Sequence, residues 1–304
     1  MQNFQCTIKT SLSVSGIGLH SAQAVCITLY PAKENSGIIF RRIDLSPAVE
    51  IPVTPENVGE TALCTTLVKN GVRISTIEHL MSAIAGMGID NLRIDIDGSE
   101  VPILDGSAST FIFLLQSTGV EVQQEMKKFV RILKEVKVRR EEDDSWAKLL
   151  PYDGFKLTFK IDFDYLKKTE EREFSVDFTS TSYLKEMSRA RTFGFLKDSE
   201  YLRKNNLALG GSVNNAVVIG DDGIINDGGL RSQNELVKHK TLDAVGDLFA
   251  LQYPIIGEFQ GYKSGHFLNN QLLRTLLKQV DCWETVSFNL PSQLPINYID
   301  SKVG

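Results

Sequence analysis

The sequence predicts an α+β protein of two similar halves facing each other across a cleft. Three observations carry this. With 304 residues, 42% of them apolar, the chain is long enough for two ordinary cores. One order of elements occurs twice: strands, then helix, strand and helix. No low-complexity linker interrupts it; only a polar, charged stretch at 123–128 separates the repeats, so the expected domains are 1–126 and 127–304.

In the first half, strands are expected at 5–14, 24–30 and 37–43. Ile77, Leu80, Met81, Ile84 and Met87 then recur at helical spacing over 75–87, leaving Glu78, His79 and Ser82 off the apolar face. An alternating strand at 91–97 and an apolar helix at 108–117 follow. In the second half, strands at 129–139, 156–163 and 173–178 precede a helix at 234–251, a strand at 255–262 and a helix at 265–280.

Composition narrows the function. No apolar run approaches the roughly 20 residues that cross a bilayer, and the first residues lack the basic-then-apolar order of a secretory signal. A cytoplasmic protein without integral membrane association is expected. Cys6, Cys26, Cys64 and Cys282 show no Cys-x-x-Cys spacing and read as free thiols, with Cys64 a buried one. A net charge of -5 argues against nucleic-acid binding but permits a local basic pocket for one anion. The glycines at 16 and 18 and at 86 and 88 lack a third for a dinucleotide fingerprint; no Walker A sequence and no Gly-x-Ser-x-Gly elbow occurs.

Three of the four histidines sit where a hydrolytic metal site would use them. His79 follows Glu78, His239 stands four residues before Asp243, and His266 follows Ser264-Gly265. On the 234–251 helix, His239, Lys240, Asp243 and Asp247 fall within about 100° of one another, opposite Val237, Leu242, Val245, Leu248 and Phe249. One helix can thus present a neutral ligand, an anionic ligand, a cation and a spare carboxylate. Each feature has a plainer reading. Ser75-Thr76-Ile77-Glu78 matches a capping box, the His239–Asp243 pair matches a solvated i, i+4 pair, and His266 could merely begin a helix. His20 is expected to be a turn or packing histidine.

Several segments together resemble one family. These are Ser15-Gly16-Ile17-Gly18-Leu19-His20, Ser75-Thr76-Ile77-Glu78-His79-Leu80, Ile89-Asp90-Asn91 and Leu104-Asp105-Gly106-Ser107-Ala108. They continue with Arg191-Thr192-Phe193-Gly194-Phe195, Leu209-Gly210-Gly211-Ser212, Lys238-His239-Lys240-Thr241-Leu242-Asp243 and Lys263-Ser264-Gly265-His266-Phe267-Leu268-Asn269-Asn270. In order and spacing the chain resembles, nearly end to end, the UDP-3-O-acyl-N-acetylglucosamine deacetylases of lipid A biosynthesis. The resemblance implies hydrolysis of the N-acetyl group of UDP-3-O-((R)-3-hydroxyacyl)-N-acetylglucosamine. It also implies two α+β sandwiches, each with an inserted element, around the site.

On this resemblance His79, His239 and Asp243 hold one Zn2+ per chain, and two imidazoles with a carboxylate would accept Fe2+ as well. Glu78 is implied as general base and His266 as general acid. His266 stands near a helix start, which disfavours its charged form, so Asp247 is expected to supply the counter-charge. Thr192 matches the threonine that helps hold the oxyanion. Lys240 joins the catalytic group and, with Phe193 and Lys263, matches positions around sugar and phosphates. Asp162 and Phe163 look like the segment that meets the uridine. Gly211 is expected at the substrate, and Phe193, Leu202, Leu207, Leu209 and Val217 along the acyl chain. Where some members carry a lysine before the residue aligned with Trp146, this chain has Ser145, so which residues meet the diphosphate is left open. The expected partner is the UDP-linked acylated glucosamine alone, and the chain is expected to be a monomer, since no coiled-coil or long edge-strand signal appears. Two further classes fit some of these features: an amidase for another acylated amine, and a non-catalytic nucleotide-sugar binder with structural histidines.

Overall fold

The four expected helices form, and two short α-helices join them, among the described residues, 3–163 and 172–298 of a computed structural model. The six are α1 (Glu78–Gly86), α2 (Ser109–Thr118), the single turn α3 (Ser180–Ser182), α4 (Ser199–Lys204), α5 (Glu235–Leu248) and α6 (His266–Lys278). The architecture is α+β, with sheets built separately from the two parts of the chain.

In the first part, five strands run in the order Leu12–Ile17, Ala24–Pro31, Leu92–Ile96, Ile38–Arg42 and Val49–Pro52. Leu92–Ile96 is parallel to Ile38–Arg42, and the crossover between them carries α1. Alternate residues such as Ile27, Leu29, Phe40 and Ile94 are fully or nearly fully buried and share one core with Leu80, Ile84, Phe111 and Leu115 from α1 and α2. The second part repeats the device. Ile255–Tyr262 is parallel to Phe155–Lys160 along one edge, with α5 in the crossover, and antiparallel to Ser145–Leu150 along the other. Its first residues also pair with Phe129–Ile132. The repeated helix–strand–helix order is therefore a repeated parallel crossover.

Several boundaries differ from expectation for physical reasons. The strand expected at 5–14 is two, Phe4–Ile8 and Leu12–Ile17, and the one expected at 129–139 is Phe129–Ile132 and Val136–Arg140. The polar stretch expected to separate the halves is largely a strand, Val120–Met126, antiparallel to Phe4–Ile8. A two-stranded ribbon buries few side chains and so tolerates Glu121, Gln124 and Glu125. Between residues 49 and 74 lie short strands with no signal of their own: Val49–Pro52, Val58–Glu60, Thr66–Lys69 and Val72–Ile74.

The decisive packing event is α1 against α5. Every residue of α1 is buried, and so is every residue of α5 except Lys240. Gly246 allows the close approach: a Cβ there would lie 2.1 Å from the Glu78 carbonyl oxygen. Ser82 Oγ lies 2.8 Å from the Leu242 carbonyl, to which it donates, and 2.8 Å from the Tyr183 hydroxyl. Gly246→Ala must push the helices apart; a destabilisation of about 1–3 kcal/mol is expected, together with weakened metal binding. Thermal unfolding and metal titration of the variant check this.

Candidate active site

The close crossing brings His79 of α1 beside His239 and Asp243 of α5. The imidazoles stand edge to face with centroids 5.0 Å apart. Asp243 Oδ1 lies 3.5 Å from His79 Nε2 and 3.3 Å from His239 Nε2. One donor atom from each residue falls within 4.8 Å of the other two, and all three residues are buried. The hydrogen bonds test whether this set suits a cation. His239 Nδ1 donates to the Ala190 carbonyl at 3.0 Å, which leaves a lone pair on Nε2. That lone pair meets Asp243 Oδ1, an acceptor that is buried without any hydrogen-bond partner. Two acceptors held face to face in the interior are unfavourable unless a cation lies between them. Burial, the largest influence on His239, pushes its pKa down to about 4, so the ring stays neutral as a ligand must. Burial would raise the Asp243 carboxyl, but neighbouring positive charge, including the Lys240 ammonium, outweighs it and holds the group well below its ordinary value.

Next to this set stand a carboxyl group and an imidazole, Glu78 and His266. Glu78 is the first residue of α1, which has no side-chain cap, so the capping box does not form. Its Oε2 instead accepts from the Thr65 N–H at 3.0 Å, while Oε1 lies 4.0 Å from His266 Nε2. Burial raises the Glu78 pKa, with His266 and His79 opposing. His266 is the first residue of α6, and its Nδ1 contacts Asp247 Oδ2 at 2.9 Å. Burial opposes its charged form, but Asp247, helped by Glu78, pushes the pKa up to about 9. Asp247 also accepts from Asn269 Nδ2 at 2.8 Å and from the Thr65 hydroxyl at 2.5 Å. The polar face of α5 is thus an interior constellation, and a solvated pair is ruled out.

These groups floor a cleft of about 700 Å³ whose walls include Thr61, Leu63, Thr192, Phe193, Lys240 and Lys263. Thr192 is pinned through its backbone: its N–H donates to Gly106 O and its carbonyl accepts from Val217 N–H, both at 2.8 Å. Gly106 is required here, since its φ is +79° and a Cβ would lie 1.9 Å from the Asn215 carbonyl oxygen. Lys240 Nζ donates to Asp243 Oδ2 at 2.8 Å; burial works against the ammonium, but Asp243 and the nearby carboxylates raise its pKa. At the outer end, Asp162 pairs with Arg172 at 2.7 Å and Lys263 at 3.3 Å. Phe163 packs edge to face on Phe193 and Phe195.

An apolar pocket of about 370 Å³ continues from the cleft, sharing Leu19, Leu63, Phe193, Phe195 and Leu202 with it. Gly211 lies here, away from the polar groups. Three expected lining residues are corrected. Val217 is fully buried in the core while Val218 faces the pocket, a one-residue slip that inverts the face of a strand. Leu209 is 41% exposed, and neither it nor the half-buried Leu207 contributes to the wall. His20, expected to be a turn or packing histidine, lines the pocket, its Nδ1 accepting from Ala208 N–H at 3.3 Å. Ser145 is buried and bonds Asp143, whereas Arg140, directly across the hairpin from it, reaches the cleft wall. Sequence reasoning missed Arg140, Thr65, Asn269 and the Ala190 carbonyl. Asn269 stands inside the segment Lys263-Ser264-Gly265-His266-Phe267-Leu268-Asn269-Asn270, whereas a backbone carbonyl and a lone threonine carry no signal.

A family model described as UDP-3-O-acyl N-acetylglycosamine deacetylase matches residues 5–278. The chain is 57% identical over 296 residues, 97% of each sequence, to a UDP-3-O-acyl-N-acetylglucosamine deacetylase of Pseudomonas entomophila (strain L48).

Proposed function

We propose a mechanism for a chain that belongs to the UDP-3-O-acyl N-acetylglycosamine deacetylase family and removes the acetyl group of UDP-3-O-acyl-N-acetylglucosamine in lipid A biosynthesis. The observation that carries it is the convergence of His79, His239 and the unpartnered Asp243 oxygen beside the Glu78–His266 pair. These three residues would hold one divalent ion, which we assign as zinc; the same donors would accept ferrous iron. When bound, such an ion makes water more acidic and polarises the acetyl carbonyl.

Glu78 acts as the base. Its buried carboxylate is a stronger base than an exposed one, and the Thr65 N–H fixes Oε2 so that Oε1 is left to take the proton of the attacking water. Thr192, clamped by Gly106 and Val217, offers its hydroxyl to the developing oxyanion, and the Lys240 ammonium adds positive charge nearby. His266, charged through neutral pH, gives the Nε2 proton to the departing amine. Lys263, Asp162 and Phe163 take the nucleotide end, Phe193 the sugar, and the pocket beyond Phe193, with Gly211 in its wall, the acyl chain. Each buried CH2 there contributes about 0.8 kcal/mol.

We further propose that residues 1–126 and 127–304 are the two domains and that the chain works as a cytoplasmic monomer. Its four cysteines are free, and among the described residues no helix is long and apolar enough to cross a membrane. The direct test is acetate release from the UDP-linked acylated sugar and from its unacylated analogue, with and without chelation. Release from the acylated compound alone, abolished by chelation, is expected. Equal rates on both compounds would point to a general amidase, and binding without acetate release to a non-catalytic protein.

The acid assignment has a signed pH consequence. Asp247 raises the His266 pKa above its ordinary 6.5 to about 9, so the active imidazolium is present below that pH and lost as pH rises through it. Asp247→Asn removes the charge while burial remains, so the basic limb of kcat/KM should move to lower pH. An unmoved limb would assign that limb to another group.

A further inference from the structure

The general base and the counter-charge of the general acid come from different helices, Glu78 from α1 and Asp247 from α5. Among the described residues, Thr65 alone hydrogen-bonds both carboxylates. Its N–H donates to Glu78 Oε2 at 3.0 Å and its hydroxyl donates to Asp247 Oδ1 at 2.5 Å. Its carbonyl accepts from the Ile77 N–H at 3.3 Å, which ties the same residue to the start of α1. Thr65 is 3% exposed and stands at the end of a turn in which Leu63 adopts a left-handed φ of +65°.

We propose that Thr65 is a positioning residue that locks the base and the acid's carboxylate partner into one geometry, an inference that rests on the roles of Glu78 and His266 given above. A carboxylate has several acceptor directions and rotates unless enough of them are occupied. On Asp247, Asn269 Nδ2 takes Oδ2 and the Thr65 hydroxyl takes Oδ1, so the plane presented to His266 Nδ1 is set from both sides. On Glu78, the Thr65 N–H engages Oε2 and leaves Oε1 facing His266 Nε2. Thr65 does not line the cleft, so it acts on the chemistry through these two groups and not by touching substrate. The turn that carries it does line the cleft, through Thr61 and Leu63, so the substrate-facing wall and the catalytic carboxylates form one connected structure.

The test uses the metal-loaded full chain with Thr65→Val, which keeps the shape and removes the hydroxyl, and Thr65→Ser, which restores it. A hydrogen bond to a charged group is lost in the first, so kcat should fall about 10- to 100-fold with KM within about threefold and metal content unchanged. Thr65→Ser should recover most of kcat. In an Asp247→Asn background, Thr65→Val should cost little more, because the hydroxyl acts through that carboxylate. Should Thr65→Val not fold, Thr65→Ala, which adds no bulk, takes its place in the same comparisons. Wild-type kcat in Thr65→Val, a serine variant as slow as the valine one, or fully additive losses with Asp247→Asn would overturn the inference. If any of these occurs while Glu78→Ala and His266→Gln remain inactive, the roles of base and acid stand and only the role of Thr65 falls. An active Glu78→Ala would overturn both.

Discussion

Glu78→Ala should keep its full complement of metal and lose most of its turnover, on the order of 10² to 10⁴ in kcat, the usual contribution of a positioned base. Both halves follow from geometry. The Glu78 carboxylate is engaged by the Thr65 N–H and faces His266, whereas the donor atoms that converge come from His79, His239 and Asp243. Removing the side chain leaves that trio intact but leaves the attacking water without an acceptor for its proton. The helix should survive, because Glu78 caps nothing and α1 is held by Leu80, Met81 and Ile84 in the core. Metal analysis beside steady-state kinetics checks this; loss of the metal would make Glu78 a ligand.

Asp243→Ala should have the opposite signature. Metal affinity is expected to fall by more than the roughly 10- to 100-fold typical of residues that only support a ligand, with turnover lost in step and restored in part by excess metal. The substitution removes the one anionic donor and leaves the Lys240 ammonium, 2.8 Å from Asp243 Oδ2, without its nearest carboxylate. His239→Ala should behave similarly, since its Nε2 is the lone pair that Ala190 holds toward the cluster. Metal titration of both variants decides the point; unchanged affinity in both would dissolve the three-residue set.

Much of this arrangement was legible in the chain. The periods of α1, α5 and α6 are long enough to read, and the helical wheel of α5 put His239, Lys240, Asp243 and Asp247 together. Spacing could not show which side of α5 was wet. That depends on α1 crossing at Gly246, a contact between residues far apart in the chain, and it turns a polar face into an interior one. The plainer capping-box reading of Ser75-Thr76-Ile77-Glu78 fails for a similar reason, because the tertiary bond from Thr65 takes the Glu78 carboxylate. The three- and four-residue strands between 49 and 74 are too short for any period, yet their turn supplies Thr65 and Leu63. Along the apolar pocket the strand is misphased by one residue, Val217 for Val218, because phase in so short a strand is set by its neighbours.

The proposed metal centre consists of two imidazoles and one carboxylate from two crossing helices around a single ion. X-ray absorption at the metal edge of the purified full chain tests it most directly. The expected spectrum is that of one ion per chain with two imidazole nitrogens and oxygen donors, losing one imidazole in His79→Ala. A sulfur donor from Cys64, a single imidazole, or a spectrum unchanged in His79→Ala would contradict it.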